Sequence, residues 1–338
     1  MKKTIAILLL LSLTLFCAVS FVGCSEDSDS ITVIVPDGGP ALGMAYLMKN
    51  HSMINGVKIN YEIKNGADDI KAAVMNGKAD IAIMPTNLAA ALYNNKIEIK
   101  LVATNSYGLM YLITNQGETT LSDLVGEVLH TVGKSGTPEA VLKKVLDSAS
   151  IAYEESDTAV TGKVALNFYS DGTQIIQKIA QGSIKYALLG EPAVSTALAK
   201  NSAYSIQIDL QEEWKTATNT DASYPQTALV AKTSLLNKNP GLVEKIAMLT
   251  LDGSYALKSN ATPYVTYLKE IGATVPPTLG ADGVQRANIT PAFGLTAKTD
   301  VSNYLSILYT FNAKLIGNKM PDDGFYYLSD ELSSYTGK

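Results

Sequence analysis

The chain has 338 residues, a formal net charge of −5, 46% hydrophobic residues and 17% charged residues. That is enough for one large domain or two of ordinary size, and it excludes a disordered or low-complexity polymer. Basic residues number 27 against 32 acidic, and Arg286 is the only arginine; this argues against a duplex nucleic-acid binder, which needs a positive, guanidinium-rich footprint.

The first element is a leader. Lys2 and Lys3 precede the apolar run Ile5–Phe16, and the small Gly23 stands before Cys24; this pattern reads as an export signal over residues 1–23 rather than a structural helix. The stretch FVGC resembles the bacterial lipoprotein processing box, with Phe21 where leucine is usual. That resemblance implies lipidation at Cys24 and a polar tether over 24–30. An uncleaved anchor and a plain secreted protein are the alternative readings. Cys17 and Cys24 are the only cysteines, so the body has no disulfide, no thiolate nucleophile and no cysteine metal site. No later segment reaches 18 continuous apolar residues, so none reads as a span.

The body opens with the strand ITVIVPDGGP, after which Pro40 is placed to start a helix carrying Leu42, Ala45, Tyr46 and Met48. VKINYEI alternates as a strand, DDIKAAVMNG is a helix stopped by Gly77, ADIAIMPT is a buried strand, and NLAAALYNN is a helix. KLVATNSYGLMYLITN supplies one or two strands. Beyond it come LSDLVGEVLHTVG (short helix, then strand), the helix SGTPEAVLKKVLDSA, the strand ALNFYS, the helix TQIIQKIAQG, the strand YALLGEP, the helix STALAKN and the strand SIQIDL. The pattern turns again near Tyr224, and the last third is helix-rich, its final helix VSNYLSILYTFNAKLIG carrying a stripe of Tyr304, Leu308, Phe311 and Leu315. Strands alternating with helices predict an α/β fold with mixed sheets covered on both faces. The stretch Asp68–Pro85 echoes Thr173–Pro192, with Gly77 on Gly182 and Lys185 standing where the first copy has Asp80; the echo supports two similar halves.

In open α/β sheets, ligands lie beyond the carboxyl ends of strands, where loops lead into helix N-termini. Five loops qualify: PDGG, PTN, NSYG, KSGTPE and GEP. Each alone is equally a turn with a helix cap, but together they predict a shared cleft. KSGTPE lacks the P-loop frame and no G-x-G-x-x-G occurs. Catalytic chemistry is thin: His51 and His130 are the only histidines and read as structural or surface groups, and YEESD reads as a solvated loop. Arg286 is expected at the surface. No metal site and no cofactor are expected.

The segments NGKADIAIMPTN, LSDLVGEVLHTVGKSGTPE, QGSIKYALLGEPA, YPQTALVAKTSLLNKNPGLVEK and GNKMPDDGFYY together resemble the type II periplasmic-binding-protein family. More narrowly, they resemble the nitrate/sulfonate/taurine and thiamine-precursor-like group of ABC-importer solute-binding lipoproteins. The resemblance implies two α/β lobes joined by two crossover strands, with lobe 1 over 31–113 and 226–338 and lobe 2 over 114–225. It implies a monomer that is no enzyme. Held by lipid at Cys24 on the extracytoplasmic side of a membrane, it would pass a small molecule to an ABC permease and its ATPase. Carried over residue by residue, the ligand positions are Asp37, Gly38, Thr86, Asn87, Ser106, Tyr107, Ser135, Gly136, Thr137, Glu191, Tyr224 and Gln226. Glu191 reads equally as a ligand contact or as a group ordering its loop. The acidic Asp37 and Glu191 favour a neutral or amine-bearing heterocycle or vitamin precursor walled by Tyr107 and Tyr224. The alternatives are a small oxyanion or sulfonate ligand, a cofactor-consuming pyrimidine synthase-like enzyme, and a sensory or adhesion lipoprotein.

Overall fold

A computed structural model describes residues 29–276 and 278–337; the leader, the processing box and Cys24 lie outside the described residues. The chain begins with the apolar strand β1 (Ser30–Pro36), and Pro40 lies in the first turn of α1 (Gly39–Asn50). There follow β2 (Met53–Ile54), β3 (Val57–Lys64), α2 (Ala67–Met75), β4 (Ile81–Pro85), α3 (Thr86–Asn94) and β5 (Ile99–Tyr107).

The chain then enters a second sheet. Its elements are β6 (Met110–Thr114), β7 (Val128–Val132), α4 (Thr137–Ser148), β8 (Tyr153–Glu155), β9 (Val164–Tyr169), α5 (Gly172–Ala180), β10 (Tyr186–Gly190), α6 (Ala193–Lys200), β11 (Ser205–Asp209) and α7 (Leu210–Thr218). The return strand β12 (Pro225–Lys232) leads to α8 (Thr233–Lys238), α9 (Pro240–Ser259), α10 (Thr262–Glu270), α11 (Ala281–Arg286), α12 (Gly294–Asn312) and α13 (Asp330–Ser334).

The first sheet runs β2-β3-β1-β4-β12-β5 and the second β11-β6-β10-β7-β9-β8. In each, parallel strands meet an antiparallel pair contributed by the crossovers: β12 opposes β4 and β5, and β6 opposes β10 and β11. This is the expected two-lobed α/β architecture with mixed sheets. β6 pairs wholly within the second sheet, so the chain leaves the first sheet at Gly108–Leu109, ahead of the 113/114 boundary drawn from sequence.

Side-chain alternation explains the layering. Val33, Ile81 and Ile83 pack with α1 and α9, while Ile34, Ala82 and Met84 pack with α2, α3 and α12; both faces of the central strands are covered, as parallel sheets require. The internal echo has a structural counterpart. β4 lies between the parallel β1 and the antiparallel β12, and β10 lies between the parallel β7 and the antiparallel β6.

Three elements differ from expectation. Within YEESD, Tyr153–Glu155 forms an edge strand parallel to β9. The helix α7 follows SIQIDL directly because the Asp209 carboxylate accepts from the Gln211 amide at 2.9 Å and caps it. The helix α12 starts at Gly294 rather than near Val301, since its first turns carry exposed Leu295 and Thr296 and no apolar stripe. Of the predicted stripe, Tyr304 and Leu308 are buried, while Phe311 and Leu315 lean half-buried against the same core.

Candidate functional site

In the first lobe, the ends of β1 and β4 lie side by side, with Ile34 level with Ala82 in the parallel register. After β1, the Asp37 carboxylate accepts from the Thr274 amide at 2.8 and 3.1 Å and from the Gly38 amide at 2.8 Å. It therefore pins the loop after α10 to the end of β1. Gly38 has φ +87°, a conformation that favours glycine. After β4, Thr86 opens α3 with 0% exposure, and its hydroxyl has no hydrogen-bond partner. Asn87 donates its side-chain amide to the Leu315 carbonyl at 3.2 Å.

Beside Thr86, β12 places Thr227 opposite both Pro85 on β4 and Ser106 on β5. The Ser106 and Thr227 hydroxyls are 2.7 Å apart, and the Asn105 amide donates to Thr227 at 3.4 Å. The Asn105 carbonyl oxygen is buried and unpartnered. It faces α1 at Gly43, where a Cβ would lie 3.0 Å from it, so a glycine is what lets helix and amide approach. Thr86, Asn105, Ser106 and Thr227 thus form a buried neutral polar group with two unmatched oxygens. Each such atom costs about 1–3 kcal/mol unless something pairs it.

In the second lobe, β7 and β10 run parallel with His130 level with Ala187, so their trailing loops are neighbours. At the first loop, the Ser135 amide donates to the Glu139 carboxylate and the Gly136 amide donates to the Gly133 carbonyl at 3.0 Å. The carboxylate of Glu139, held also by Lys143 at 2.6 Å, therefore already occupies the positive end of α4. Tyr304 from the other lobe is fully buried, and burial raises its pKa.

At the second loop, Glu191 accepts from Arg286 Nε at 2.6 Å, from the Ser195 hydroxyl at 3.0 Å and from the Ser195 amide at 3.1 Å. Arg286 Nη2 also donates to the Ser195 hydroxyl at 3.0 Å. The single arginine is therefore not a free surface group: it reaches from α11 of the first lobe to a carboxylate buried in the second. Burial of Glu191 demands a partner, and Arg286 is the one it finds.

The crossovers hold the remaining residues. The Tyr107 phenol donates to Asp300 at 2.6 Å, and burial first, then that carboxylate, raises its pKa. Tyr224 is fully buried, donates to Gln211 at 3.2 Å and packs on Trp214 and Tyr304 with ring centroids 5.2 and 5.7 Å away. A Cβ at Gly108 would lie 2.4 Å from the Tyr224 ring, so this crossover needs glycine. Gln226 is half-buried on β12.

Thr86 and Ser106 are thus brought into one group, Asp37 and Gly38 stand at the neighbouring strand end, and Ser135–Thr137 and Glu191 line adjacent loops of the other lobe. Tyr107, Tyr224 and Gln226 belong to the crossovers. Asn105, Thr227, Ser195 and Arg286 went unpredicted; the polar residues inside the buried run VATNSYG were the signal that could have found the first.

His51 and His130 both have pKa values lowered by burial, with Lys245 and Lys178 respectively adding repulsion. His130 lies 3.0 Å from the Tyr169 hydroxyl. Among the described residues there is no group of three or more His, Cys, Asp and Glu placed to hold a metal, and no helix long and apolar enough to cross a membrane.

Residues 54–261 match the family model described as NMT1/THI5 like. No curated protein matches the chain. Among solved structures, the chain is similar to an ABC transporter protein from Parabacteroides distasonis, at TM-score 0.75 and 24% identity, covering 89% of this chain and 99% of that one. It is also similar to the periplasmic aliphatic sulphonate binding protein SsuA from Escherichia coli, at TM-score 0.65 and 12% identity over 86% and 89% of the two chains. A third is the zinc-bound ligand-binding component of an ABC-type import system from Staphylococcus aureus, at TM-score 0.60 and 11% identity over 92% and 100%.

Proposed function

The chain belongs to the NMT1/THI5-like family and has the type II periplasmic-binding-protein fold, and from that premise we propose that it is an extracytoplasmic solute-binding protein, not an enzyme, delivering a small molecule to an ABC permease and its ATPase. The observation that carries the reading is the buried polar group at the first lobe's strand ends, where Thr86 Oγ1 and Asn105 Oδ1 have no partner. A fold tolerates such a cost where a ligand repays it. The only two histidines stand outside this group, and the mature body has no thiol to act as a nucleophile.

The ligand carries an oxyanion head, sulfonate or carboxylate, rather than being a neutral or amine-bearing heterocycle. The latter expectation rested on Asp37 and Glu191 as free acids facing the cleft. Asp37 is instead capped by two amides, and Glu191 is neutralised by Arg286. What remains for such a head is the Thr86 hydroxyl, which can donate, beside the N-termini of α1 and α3, a setting that favours negative charge; Asn105 Oδ1 only accepts and would pair with a hydroxyl or amide donor elsewhere on the ligand. The similar structures from Escherichia coli and Staphylococcus aureus support the transport reading through fold alone. Lipidation at Cys24 would hold the monomer beside its permease and raise its effective concentration there.

Native mass spectrometry of the purified protein, followed by a thermal-shift panel of small sulfonates, carboxylates, amines and heterocycles, tests both levels. A co-purified or stabilising oxyanion is the expected result. Stabilisation by heterocyclic amines alone would overturn the ligand class, and measurable turnover of any of them would overturn the binding role.

A further inference from the structure

On the crossover side of the lobe junction lies a cavity of about 480 Å³ that the strand-end group does not use. Its volume falls in the range of small-molecule sites. It draws on every part of the junction. Tyr107 and Asp300 come from the first lobe, Tyr111, Asp209 and Glu212 from the second, and Asp221 from the return crossover. We propose that this cavity is a second binding site, selective for a small organic cation such as a primary or quaternary ammonium.

Charge makes the first argument. Four carboxylates line the cavity against one ammonium, Lys215, which is already 2.7 Å from Glu212. Among the described residues, Asp221 forms no ion pair and lies exposed at the mouth. Burial raises the pKa of both Asp209 and Asp300 although Gln211 and Tyr107 already donate to them, so a cation entering here relieves the part of the desolvation cost that these neutral donors leave.

Shape and polarity make the second. The rings of Tyr107 and Tyr111 supply walls, and an alkylammonium over a tyrosine face gains cation–π attraction as well as ion pairing. Ser223 also lines the cavity; it is 7% exposed, and its hydroxyl makes no hydrogen bond. That independent orphan calls for a polar occupant. A bare metal ion is a poorer match, because the carboxylates form no cluster able to coordinate one. Since the lining spans both lobes, an occupant binds one lobe angle better than others and so couples to the strand-end site.

Isothermal titration of the purified protein with 1,4-diaminobutane and with tetramethylammonium, beside butane-1,4-diol as the uncharged control, tests the proposal. The expected result is saturable binding of one ammonium per chain, with the diol inert. Asp221→Asn, an exposed change that leaves the fold intact, should weaken it about tenfold, and Asp300→Asn at least as much. Thr86→Val should leave ammonium binding unchanged, which separates this site from the proposed transport ligand. The proposal is overturned if neither ammonium saturates, if the diol binds equally well, if both aspartate variants bind as the parent does, or if Thr86→Val abolishes binding.

Discussion

The two lobes meet in two chemically opposite ways. On one side Trp214 and Tyr224, from the second lobe and the crossover, pack against Tyr304 of the first lobe's α12, all at most 3% exposed. On the other, Arg286 reaches across to Glu191 and Ser195. The aromatic junction gains from burial of large apolar surfaces and from edge-on ring contacts of about 0.5–1.5 kcal/mol per pair, none of which water can replace. The ionic junction gains little net, because desolvation of both charges offsets their attraction, and water can take over either partner when they part. One contact is therefore built as core and the other as a clasp that water can release.

The largest effect should come from breaking the core-like contact. Trp214→Ala removes the ring packed on both Tyr224 and Tyr304 and should cost about 3–5 kcal/mol, read as a lower urea midpoint with both lobes affected. If the loss is below about 1 kcal/mol, the aromatic contact is not what joins the lobes.

Glu191→Gln should cost about 2–3 kcal/mol, less than the full penalty of a buried pair because Arg286 keeps 22% of its side chain exposed. Small-angle scattering should show a larger radius of gyration for this variant and none for Trp214→Phe. An unchanged radius would mean that the clasp does not hold the cleft shut.

Thr86→Val should move the opposite way, with stability unchanged or raised by about 1 kcal/mol as an unpaired buried hydroxyl disappears. Affinity for the transported solute should nevertheless fall about tenfold. Loss of stability without loss of affinity would make Thr86 a structural residue.

The smallest effect is acid sensitivity, which belongs to neither junction. The pKa values of His51 and His130 are held below the ordinary 6.5, so below that pH the unfolded chain binds more protons than the native one. Their contribution is complete above 6.5 and is lost as pH falls through the native values. Urea midpoints measured from pH 7.5 to 5 should decline, and His130→Gln should flatten that slope without changing the scattering profile.

Much of the fold was legible because its signals are local. ADIAIM reads as a doubly buried strand since apolar side chains occupy both faces, and Gly77 and Gly182 stop helices wherever they are placed, each with positive φ. The segment Gly172–Ala180 shows its apolar face in the buried Ile175 and Ile179, with Ile176 packed partly against the same cluster. The missed helix α7 carries mixed polar residues and few apolar ones, so only its Asp209 cap announced it.

The site was legible only as a set of places. The sequence by itself determined the two α/β halves, the strand-end loops and the absence of cysteine beyond Cys24, because composition is read directly and periodicity and turn chemistry act within a few residues of each other. Which polar group would face which could not be read that way. Glu191 and Arg286 are separated by 95 positions and Ser106 and Thr227 by 121, and such pairings follow from how strands are ordered in a sheet and how one lobe docks on the other. Only the tertiary structure decided that both acids credited with choosing the ligand were already spoken for. The reason is physical: a carboxylate's influence on a ligand depends on the charge and hydrogen bonds it has already taken up, and these come from residues far away in the chain.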